Sequence, residues 1–523
     1  MSLDVDTDAS PDLAARPDWP LGVAGAVAGG AALAVSELAA GLLASIPSLV
    51  SGVATFVIDN VPPGVKDLAI ELFGTADKIA LAVGIVLTTL GLGYVAGRLF
   101  PRSAVVIPAV FVGFGVLGAL AAARTPQADL TPALVNGALA AATGVSLFQF
   151  LVTPVARAVR QEVDLDRRLF LGRAGAVAAL AVIGAGAGRA FFERTRRLIA
   201  GRDEVVLPIA GEVAPPVPAG AMLDVPGISP IITPNADFYR IDTAPISPPT
   251  VDISNWTMSV TGLVDRPITL DFTDLSDLPM IERVITIACV SNQVGGDLIG
   301  TAKWFGTPLG DLLRRAGVRP EASQVVGRSV DGFTVGFPVD AAFDGRDAMV
   351  AIGMNDEPLP FEHGFPARLI VAGLYGYVSA TKWLSEIELT TWDAFDAYWV
   401  PRGWSKEGPI KTQSRIDTPR RSARLTPGPV GIGGVAWAQT RGIDRVEVRV
   451  DGGEWMDADL GESIGDDVWR QWGIVWDATP GTHQVQVRAT DGNGATQTEE
   501  ITPVAPNGAT GYHTVTYLVS EDT

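Results

Sequence analysis

The feature that most constrains this chain is a series of five apolar runs before residue 192. The runs cover residues 20–43, 77–98, 104–123, 131–153 and 169–190. Each is rich in Ala, Gly, Val and Leu. A helix needs about 20 apolar residues to cross the core of a bilayer, and small residues let helices pack closely in lipid. The sequence therefore predicts a cytoplasmic tail over residues 1–19 and an all-α transmembrane bundle of five helices over residues 20–192.

Arginines in the connections between these runs orient the bundle. Arg98 and Arg102 separate the second and third runs, and Arg157, Arg160, Arg167 and Arg168 separate the fourth and fifth. Connections rich in Lys and Arg stay on the cytoplasmic side, so both of these are predicted to be cytoplasmic. The interpretation is a multi-pass protein of the cell membrane, with everything after residue 192 extracytoplasmic.

The start of the fifth run also resembles a twin-arginine export signal. Residues 167–171 read Arg-Arg-Leu-Phe-Leu, followed by a small-residue apolar run. One interpretation is plain positive charge before a membrane helix. The other is a targeting motif for a route that carries folded, cofactor-loaded proteins. The Phe-Leu spacing and the predicted topology favour export.

Ionisable residues are few in the apolar third. Glu37 and Glu71 would mark a functional path if they were buried in the membrane. Glu37, however, lies near the predicted end of its helix, and Glu71 lies in residues 44–76, predicted as a loop with a short amphipathic piece. A structural role is favoured for both. All three histidines lie beyond residue 360, so a b-type haem with two membrane histidines as ligands is excluded.

The charge and cysteine content limit the remaining possibilities. The net charge of −19 at pH 7 argues against nucleic acid as a partner, because binding needs clustered Lys and Arg. The chain has one cysteine and hence no intrachain disulfide. The exported part must therefore depend on its own core.

The region after the apolar runs begins with a connector and continues as mixed elements. Residues 193–232 are predicted as an extended linker, because they contain the run Val213-Ala-Pro-Pro-Val-Pro. Residues 233–405 contain short apolar stretches broken by Gly, Pro and Asp, which predict an α+β domain. Within it, 283–290 reads as a strand, and 308–316 reads as a helix with Thr307 as its cap.

The C-terminal region is predicted to be all-β. Over residues 406–523, alternating and β-branched runs are separated by glycine turns such as Asp451-Gly-Gly. This spacing is typical of an immunoglobulin-like β-sandwich.

Cys289 is the first candidate for chemistry. It ends the strand-like run 284–289 and opens a polar turn that contains Gly295 and Gly296. A thiolate at such a position is suited to a soft metal ion. A single cysteine is also commonly a small buried hydrophobic residue, so Cys289 alone does not decide between these interpretations.

Four segments, in this order, resemble the sulfite oxidase family of molybdopterin enzymes, and also the bacterial periplasmic methionine sulfoxide reductases. They are Thr233-Pro-Asn-Ala-Asp-Phe-Tyr-Arg240, Ile287-Ala-Cys-Val-Ser-Asn292 with Gly295-Gly296, His363-Gly-Phe-Pro-Ala-Arg368, and Tyr375-Gly-Tyr through Lys382-Trp-Leu384. The resemblance covers about residues 233–523 and implies a sulfite-oxidase-type molybdopterin domain, followed by a dimerisation-type domain and hence a homodimer.

The resemblance also implies roles for individual residues. Cys289 matches the catalytic molybdenum ligand of a molybdenum–molybdopterin cofactor. Arg368 suits the phosphate of the pterin, since a guanidinium pairs with two oxygens at once. The residues implied in cofactor binding beside Cys289 are Asn235, Phe238, Tyr239, His363, Arg368, Ser379, Ala380, Thr381 and Lys382.

The substrate side departs from the family pattern. Arg240 matches an arginine that faces the substrate anion and is predicted to be catalytic. A second arginine of sulfite oxidases is Val294 here, and their active-site tyrosine is matched by Phe333. A lost cation and a lost hydroxyl weaken binding of a small dianion, so sulfite is not favoured as the substrate.

The resulting hypothesis is a membrane-anchored, extracytoplasmic molybdenum oxidoreductase that transfers an oxygen atom to or from a small sulfite- or sulfoxide-like substrate. A separate cytochrome or quinone-linked partner would exchange its electrons. Two alternative functions are compatible with parts of the sequence. One is a non-catalytic binding or sensor protein that keeps the fold, and the other is a transporter fused to an exported sensor. Buried charge is nearly absent from the apolar runs, which argues against a transporter.

Overall fold

The computed structural model describes residues 19–43, 46–61, 65, 72, 77–124, 128–161, 165–244, 248–421 and 423–521. The chain divides into two compact units. The helical unit comprises residues 1–199 and 242–248, and the β-rich unit comprises residues 200–241 and 249–523. A helical N-terminal region followed by a β-rich region is thereby confirmed. Most of the predicted cytoplasmic tail, and Glu71, lie outside the described residues.

The helical unit contains six long or medium helices in its described part. They are α1 (Trp19–Leu42), α2 (Leu49–Asn60), α3 (Asp77–Leu99), α4 (Val106–Ala122), α5 (Leu130–Gln161) and α6 (Leu165–Ala200). Helix α1 packs against α3 and α5, and α4 packs against α5 and α2. Helix α2 lies in the segment predicted as a loop with a short amphipathic piece, and it is 12 residues long.

Three helical segments of the described chain are long and apolar enough to cross a membrane. They are Trp19–Leu42, Ile79–Leu99 and Leu130–Thr153. The third and fifth predicted runs form the shorter apolar helices Val106–Ala122 and Leu169–Gly184. The number of crossings and their direction therefore stay predictions.

Helix α6 extends further than its apolar run. The predicted linker was expected to start at residue 193, but α6 continues to Ala200, so that boundary is wrong. The apolar pattern ends early, whereas Glu, Arg and Leu are good helix formers and prolong the helix. Gly201 follows with φ of 66°, a conformation that ends helices. The side chains of Arg167 and Arg168 lie outside the described residues.

The end of α1 is tied to the start of α2 by Glu37. The Ser48 hydroxyl donates a hydrogen bond to Glu37 Oε2 (2.8 Å), and the Val50 amide donates to Oε1 (3.3 Å). A carboxylate at a helix N-terminus satisfies amides that have no partner within the helix. These contacts agree with the structural role favoured for Glu37.

The β-rich unit starts with two sheets and three short helices. One sheet has the strand order β3-β4-β7-β8, with β9 paired to β7, and the other has the order β2-β1-β10-β5-β6. The strands are β1 (Thr257–Gly262), β2 (Ile268–Asp271), β3 (Ile281–Ala288), β4 (Ile299–Pro308), β5 (Gln324–Ser329), β6 (Thr334–Pro338), β7 (Ala348–Met354), β8 (Glu357–Pro358), β9 (Arg368–Val371) and β10 (Leu384–Thr390). The helices are α7 (Phe272–Ser276), α8 (Leu309–Ala316) and α9 (Gly376–Ser379).

One predicted cap is wrong. Helix α8 begins after Pro308 and has no side-chain hydrogen bond at its cap. Thr307, the predicted cap, lies inside strand β4 and pairs with Val350 of β7. The strand therefore runs directly into the helix, and no residue between them is free to cap it.

The C-terminal region forms two further sheets that share one apolar core. Their strand orders are β11-β13-β17-β16 and β12-β19-β18-β14-β15. The strands are β11 (Gln413–Thr418), β12 (Arg424–Leu425), β13 (Gly428–Trp437), β14 (Ile443–Val450), β15 (Met456–Asp457), β16 (Asp459–Leu460), β17 (Arg470–Ala478), β18 (Gly481–Asp491) and β19 (His513–Val519). Ile432 and Trp472 of one sheet pack with Val446, Val487 and Tyr517 of the other. The immunoglobulin type itself stays a prediction.

The predicted linker is not free chain once α6 has ended. Leu223 donates its amide proton to Gln471 Oε1 (2.8 Å), and Ser229 donates to Asp417 Oδ2 (2.9 Å). The Trp469 indole donates to the Ile231 carbonyl (2.9 Å). Residues 201–232 are therefore bonded along the β-rich unit.

Close packing of α1 and α3 generates the first prediction. A Cβ on Gly93 would lie 2.5 Å from the Gly25 carbonyl oxygen, whereas a Cβ on Gly91 would meet nothing within 4 Å. We expect Gly93→Ala to lower the midpoint of thermal unfolding in detergent, since the helices must separate. Gly91→Ala, two residues away, should leave it unchanged or raise it, because Ala is the better helix former. An equal response of the two variants would contradict the close contact.

Candidate functional site

Cys289 follows the last residue of strand β3 and starts a loop that closes on itself. We call residues 289–298 the Cys289 loop. The Cys289 amide donates to the Leu298 carbonyl (2.9 Å), and the Asn292 amide donates to the Cys289 carbonyl (3.1 Å). The Asn292 side-chain oxygen accepts from the Leu298 amide (2.9 Å). The base of the loop is thus fixed by its own hydrogen bonds.

The Cys289 thiol is buried and free. Burial raises its pKa above the usual value, and hydrogen bonds from Ser291 only partly oppose this. The thiol is therefore protonated at neutral pH unless a cation stabilises the thiolate. A metal ion does this, because coordination displaces the thiol proton.

Phe238 is the centre of a cluster of aromatic rings that includes Tyr239, whose phenol is close enough to Cys289 to respond to its charge. Phe238 stacks on Tyr239 with ring centroids 5.3 Å apart, and its edge meets Trp304 at 6.0 Å and His363 at 5.5 Å. Burial and the charge of Cys289 raise the pKa of the Tyr239 phenol. The early segment of the resemblance is therefore brought beside the thiol and beside His363.

His363 and Arg368 form a buried basic pair. Arg368 donates from Nη1 to the His363 carbonyl (3.0 Å), and His363 Nε2 lies 3.2 Å from the Asn235 carbonyl oxygen. Burial, with the charges of Arg368 and Lys382, lowers the pKa of His363 to about 4. Burial lowers the pKa of Arg368 to about 10. At neutral pH His363 is neutral and Arg368 keeps its charge.

Residues 379–382 lie directly beside Arg368. The Leu369 amide donates to the Thr381 carbonyl (2.9 Å), which joins this segment to strand β9. Ser379 uses its hydroxyl to bond the Leu374 and Tyr375 carbonyls (3.2 and 3.1 Å). Lys382 Nζ donates to the Glu362 carbonyl (3.0 Å). Ala380 directly follows helix α9 and is its C-cap residue.

Two buried polar atoms in this cluster lack a partner among the described residues. They are Arg368 Nε and Thr381 Oγ1. Arg368 is 4% exposed and Thr381 is fully buried, so water does not compensate them at the surface. Buried polar groups are nearly always hydrogen-bonded, and a buried guanidinium needs an anionic partner. The arrangement fits an anionic, hydrogen-bonding group such as the phosphate of a molybdopterin.

Two predicted residues have different surroundings. The Asn235 side chain accepts from Asn355 Nδ2 (2.8 Å) and donates to the Met354 carbonyl (3.2 Å). It fixes the turn after β7, and its carbonyl is the group near His363. Arg240 follows Tyr239 and is exposed. A substrate contact for Arg240 stays a prediction.

The sequence reasoning assigned no role to Tyr375, which is close to Cys289. Burial and the Cys289 charge raise the Tyr375 pKa to about 12. A Cβ on Gly376, the next residue, would lie 3.7 Å from the Ala288 carbonyl and 3.9 Å from the Tyr239 hydroxyl. The signal was present, since Tyr375 lies in the fourth segment of the resemblance.

Comparison with known proteins points to the same class of cofactor. Residues 245–399 match the family described as the oxidoreductase molybdopterin binding domain. An uncharacterized oxidoreductase of Bacillus subtilis, YuiH, is 34% identical over 157 residues, which are 30% of this chain and 76% of that protein. Mitochondrial sulfite oxidase of Mus musculus is 29% identical over 272 residues, 44% of this chain and 49% of that protein. Sulfite oxidase of Arabidopsis thaliana is 28% identical over 338 residues, 53% and 85% respectively.

The chain belongs to the sulfite oxidase family. The cofactor of this family is molybdenum–molybdopterin, and the matched range 245–399 contains the positions of Cys289, His363, Arg368 and Thr381. The chain spans about half the length of the mouse and rat sulfite oxidases that it matches, 49% in each case.

A second prediction follows from the histidine of strand β19. Burial and the charge of Arg415 lower the pKa of His513 to about 4, below its value of about 6.5 in an unfolded chain. The unfolded state then binds more protons between these pH values, so stability falls as the pH decreases from about 6.5 to about 4. His513→Gln should reduce this loss by about 1–3 kcal/mol.

The measurement is denaturant unfolding followed by tryptophan fluorescence, since every tryptophan except Trp19 lies beyond residue 250. His483 is the control. Its contact with Asp451 raises its pKa, so its contribution is present at low pH and is lost as the pH rises. His483→Gln should therefore leave the low-pH loss intact. Identical pH profiles for wild type and His513→Gln would contradict a neutral buried His513.

Proposed function

We propose that this chain is a membrane-anchored, extracytoplasmic, molybdopterin-dependent oxidoreductase that transfers an oxygen atom to or from a small substrate. The proposal rests on two buried atoms that have no hydrogen-bond partner in the described part of the chain, Arg368 Nε and Thr381 Oγ1, in the same domain as the buried free thiol of Cys289. Arg368 and Thr381 would receive the anionic tail of the cofactor, and Cys289 would bind its metal.

The proposed roles follow from the charges of the site. Cys289 would be the single protein ligand of the metal. Arg368 and Lys382 would pair with the phosphate, and Thr381 would donate a hydroxyl proton to it. His363, neutral at neutral pH because of its low pKa, would hydrogen-bond the cofactor without adding charge. Phe238 and Tyr239 would lie against the pterin, and Ser379 and Ala380 would shape the adjacent loop.

The bound cofactor would supply the two-electron redox change and the oxygen-atom transfer. The protein side would exclude water, orient the substrate and set the local field. Arg240 is proposed to attract an anionic or polar substrate, since exposed arginines steer such molecules toward a site.

A sulfoxide-like substrate is favoured over sulfite. Sulfite carries two negative charges and is best held by several cations and hydroxyl groups. Phe333 has no hydroxyl and packs against Tyr398 at 5.5 Å, and Val294 has no charge. A neutral sulfoxide needs fewer such groups, which suits this chain better.

The protein is further proposed to be anchored in the membrane and to work with an electron-transfer partner. Three helical segments long enough for a membrane support an anchor, and five crossings with a twin-arginine-like motif are proposed within it. A separate cytochrome or quinone-linked partner would exchange electrons. The two C-terminal sheets with a shared core support an immunoglobulin-like domain, for which a homodimer is proposed by analogy.

The decisive experiment uses the full chain, produced in a cofactor-competent host and purified in detergent. We expect about one molybdenum and one pterin per chain, and loss of activity in Cys289→Ser, because a serine oxygen is a harder ligand than a thiolate. Methionine sulfoxide reduction and sulfite oxidation are then measured with artificial redox dyes. Absence of metal and pterin from the wild type would refute the proposal, and faster sulfite oxidation would refute the substrate preference.

A further prediction concerns the phosphate contact. Arg368→Gln should weaken pterin retention at least about 10-fold, because a charge-assisted hydrogen bond contributes about 1.5–3 kcal/mol. The control is Arg283→Gln in strand β3. This substitution removes the ion pairs of Arg283 with Glu212 and Asp347, and neither partner is a predicted cofactor residue. Pterin content is measured by fluorescence after release from the protein. Equal retention in both variants would place the phosphate elsewhere.

A further inference from the structure

Two residues of the C-terminal β-domain reach the Cys289 loop. Arg415 lies in strand β11, and His513 is the first residue of strand β19. Arg415 donates from Nη1 to the Gly296 carbonyl (2.8 Å). The His513 ring lies against Gly295, where an added Cβ would come within 2.2 Å of its Cδ2 atom. The two contacts are on adjacent residues, at the tip of the loop.

Arg415 is held rigidly at this position. Its Nε pairs with Asp417 Oδ1 (2.6 Å), and Nη2 donates to the Ser229 hydroxyl (2.8 Å). The side chains of Arg415 and Asp417 are 11% and 8% exposed. Ser229 in turn donates its amide proton to Asp417 Oδ2 (2.9 Å). A planar guanidinium bonded in three directions has little freedom, so the Gly296 carbonyl is bound to a fixed point.

His513 is oriented from the same strand. The Ile416 amide donates to His513 Nδ1 (2.9 Å), which fixes the plane of the ring. Gly295 has φ of 77°, a conformation that L side chains rarely adopt. A glycine is thus required there by its backbone and by the ring packed on it.

The contacts of Arg415 and His513 lie at a part of the loop that has few hydrogen bonds of its own. Within the loop, hydrogen bonds join Cys289, Asn292 and Leu298, and Ser291 bonds Cys289. A bond from the Gly296 amide to the Gln293 carbonyl (2.8 Å) is also present. The tip is otherwise bonded to the C-terminal domain. The direction of the Cys289 side chain depends on the backbone of this loop, and the groups that orient a metal ligand also tune the metal.

We propose that Arg415 and His513 are positioning residues for the metal ligand: the C-terminal domain clamps the Cys289 loop and thereby sets the direction of Cys289 Sγ. The domain that the resemblance associates with dimerisation is then a structural part of the metal site. The effect on a bound metal rests on the proposed function, whereas the restraint of the Cys289 loop by the C-terminal domain does not.

The test uses the full chain and exploits Cys289 as its single cysteine. Arg415→Lys keeps a positive charge beside Asp417, but its three donors share one nitrogen and cannot reach the three separate partners of the planar guanidinium. Arg441→Lys is the matched control, because Arg441 pairs with Asp491 (2.9 Å) and donates to the Ile410 carbonyl (3.1 Å) in the same region, away from the loop. The first readout is the rate of Cys289 modification by a small thiol reagent in cofactor-free protein. The second is the Mo(V) EPR spectrum of loaded protein.

We expect Arg415→Lys to raise the modification rate about 10-fold, since a charge-assisted hydrogen bond that closes the loop is lost, and to shift the EPR g values. Arg441→Lys should change neither readout, even if it lowers the thermal midpoint equally. His513→Gln should act as Arg415→Lys does, with His483→Gln as its control.

The outcomes distinguish the restraint of the Cys289 loop from the proposed molybdenum-dependent function. An unchanged modification rate in Arg415→Lys, or an equal increase in Arg441→Lys, would overturn the clamp. A raised rate with an unchanged EPR spectrum would overturn its influence on the metal. A wild type without molybdenum would refute the proposed function, while the modification rates would still decide whether the clamp exists.

Discussion

The site depends on strand β3 being hydrogen-bonded along both edges. One edge pairs with β4 over the full strand. On the other, Thr286 donates its amide proton to the Asp467 carbonyl (2.9 Å), and its carbonyl accepts from Gln439 Nε2 (3.0 Å). The Thr286 hydroxyl accepts from the Trp469 amide (2.8 Å). A strand bonded on both edges cannot shift its register without losing these bonds, so the thiol at its end has a defined place.

Burial then determines the chemistry of the groups around that thiol. Burial raises the pKa of Cys289, makes His363 neutral at physiological pH and leaves Arg368 charged, with its Nε atom lacking a partner among the described residues. A cluster of this kind is costly by itself, because a buried charge needs a partner. In the proposed function, an anionic cofactor with a metal ion would satisfy all three groups at once. The features that destabilise the cluster alone would then favour the bound state, in line with linkage between ligand binding and stability.

The two C-terminal sheets contribute to this site through their edges and turns. Their shared core, with Trp472 and Tyr517 fully buried, makes the domain rigid, and a rigid support transmits position well. From it, Asp467 and Gln439 bind strand β3, while Arg415 reaches the loop that follows. Contacts of this kind join residues more than 100 positions apart in the chain, and no local pattern encodes them.

Periodicity and composition are local properties, and they were enough to predict the apolar helices and the position of Cys289 at the end of a strand. The resemblance, through the order of its motifs, linked Arg368 and residues 379–382 to one cofactor. The sequence pattern did not predict the length of α6, where helix formers continue past the apolar pattern, and it misplaced the cap at Thr307. The tertiary structure was needed to show which buried atoms lack partners among the described residues, that the Asn235 side chain stabilises the turn after β7, and that Arg415 and His513 contact the Cys289 loop. These depend on packing between distant segments, which composition and spacing do not specify.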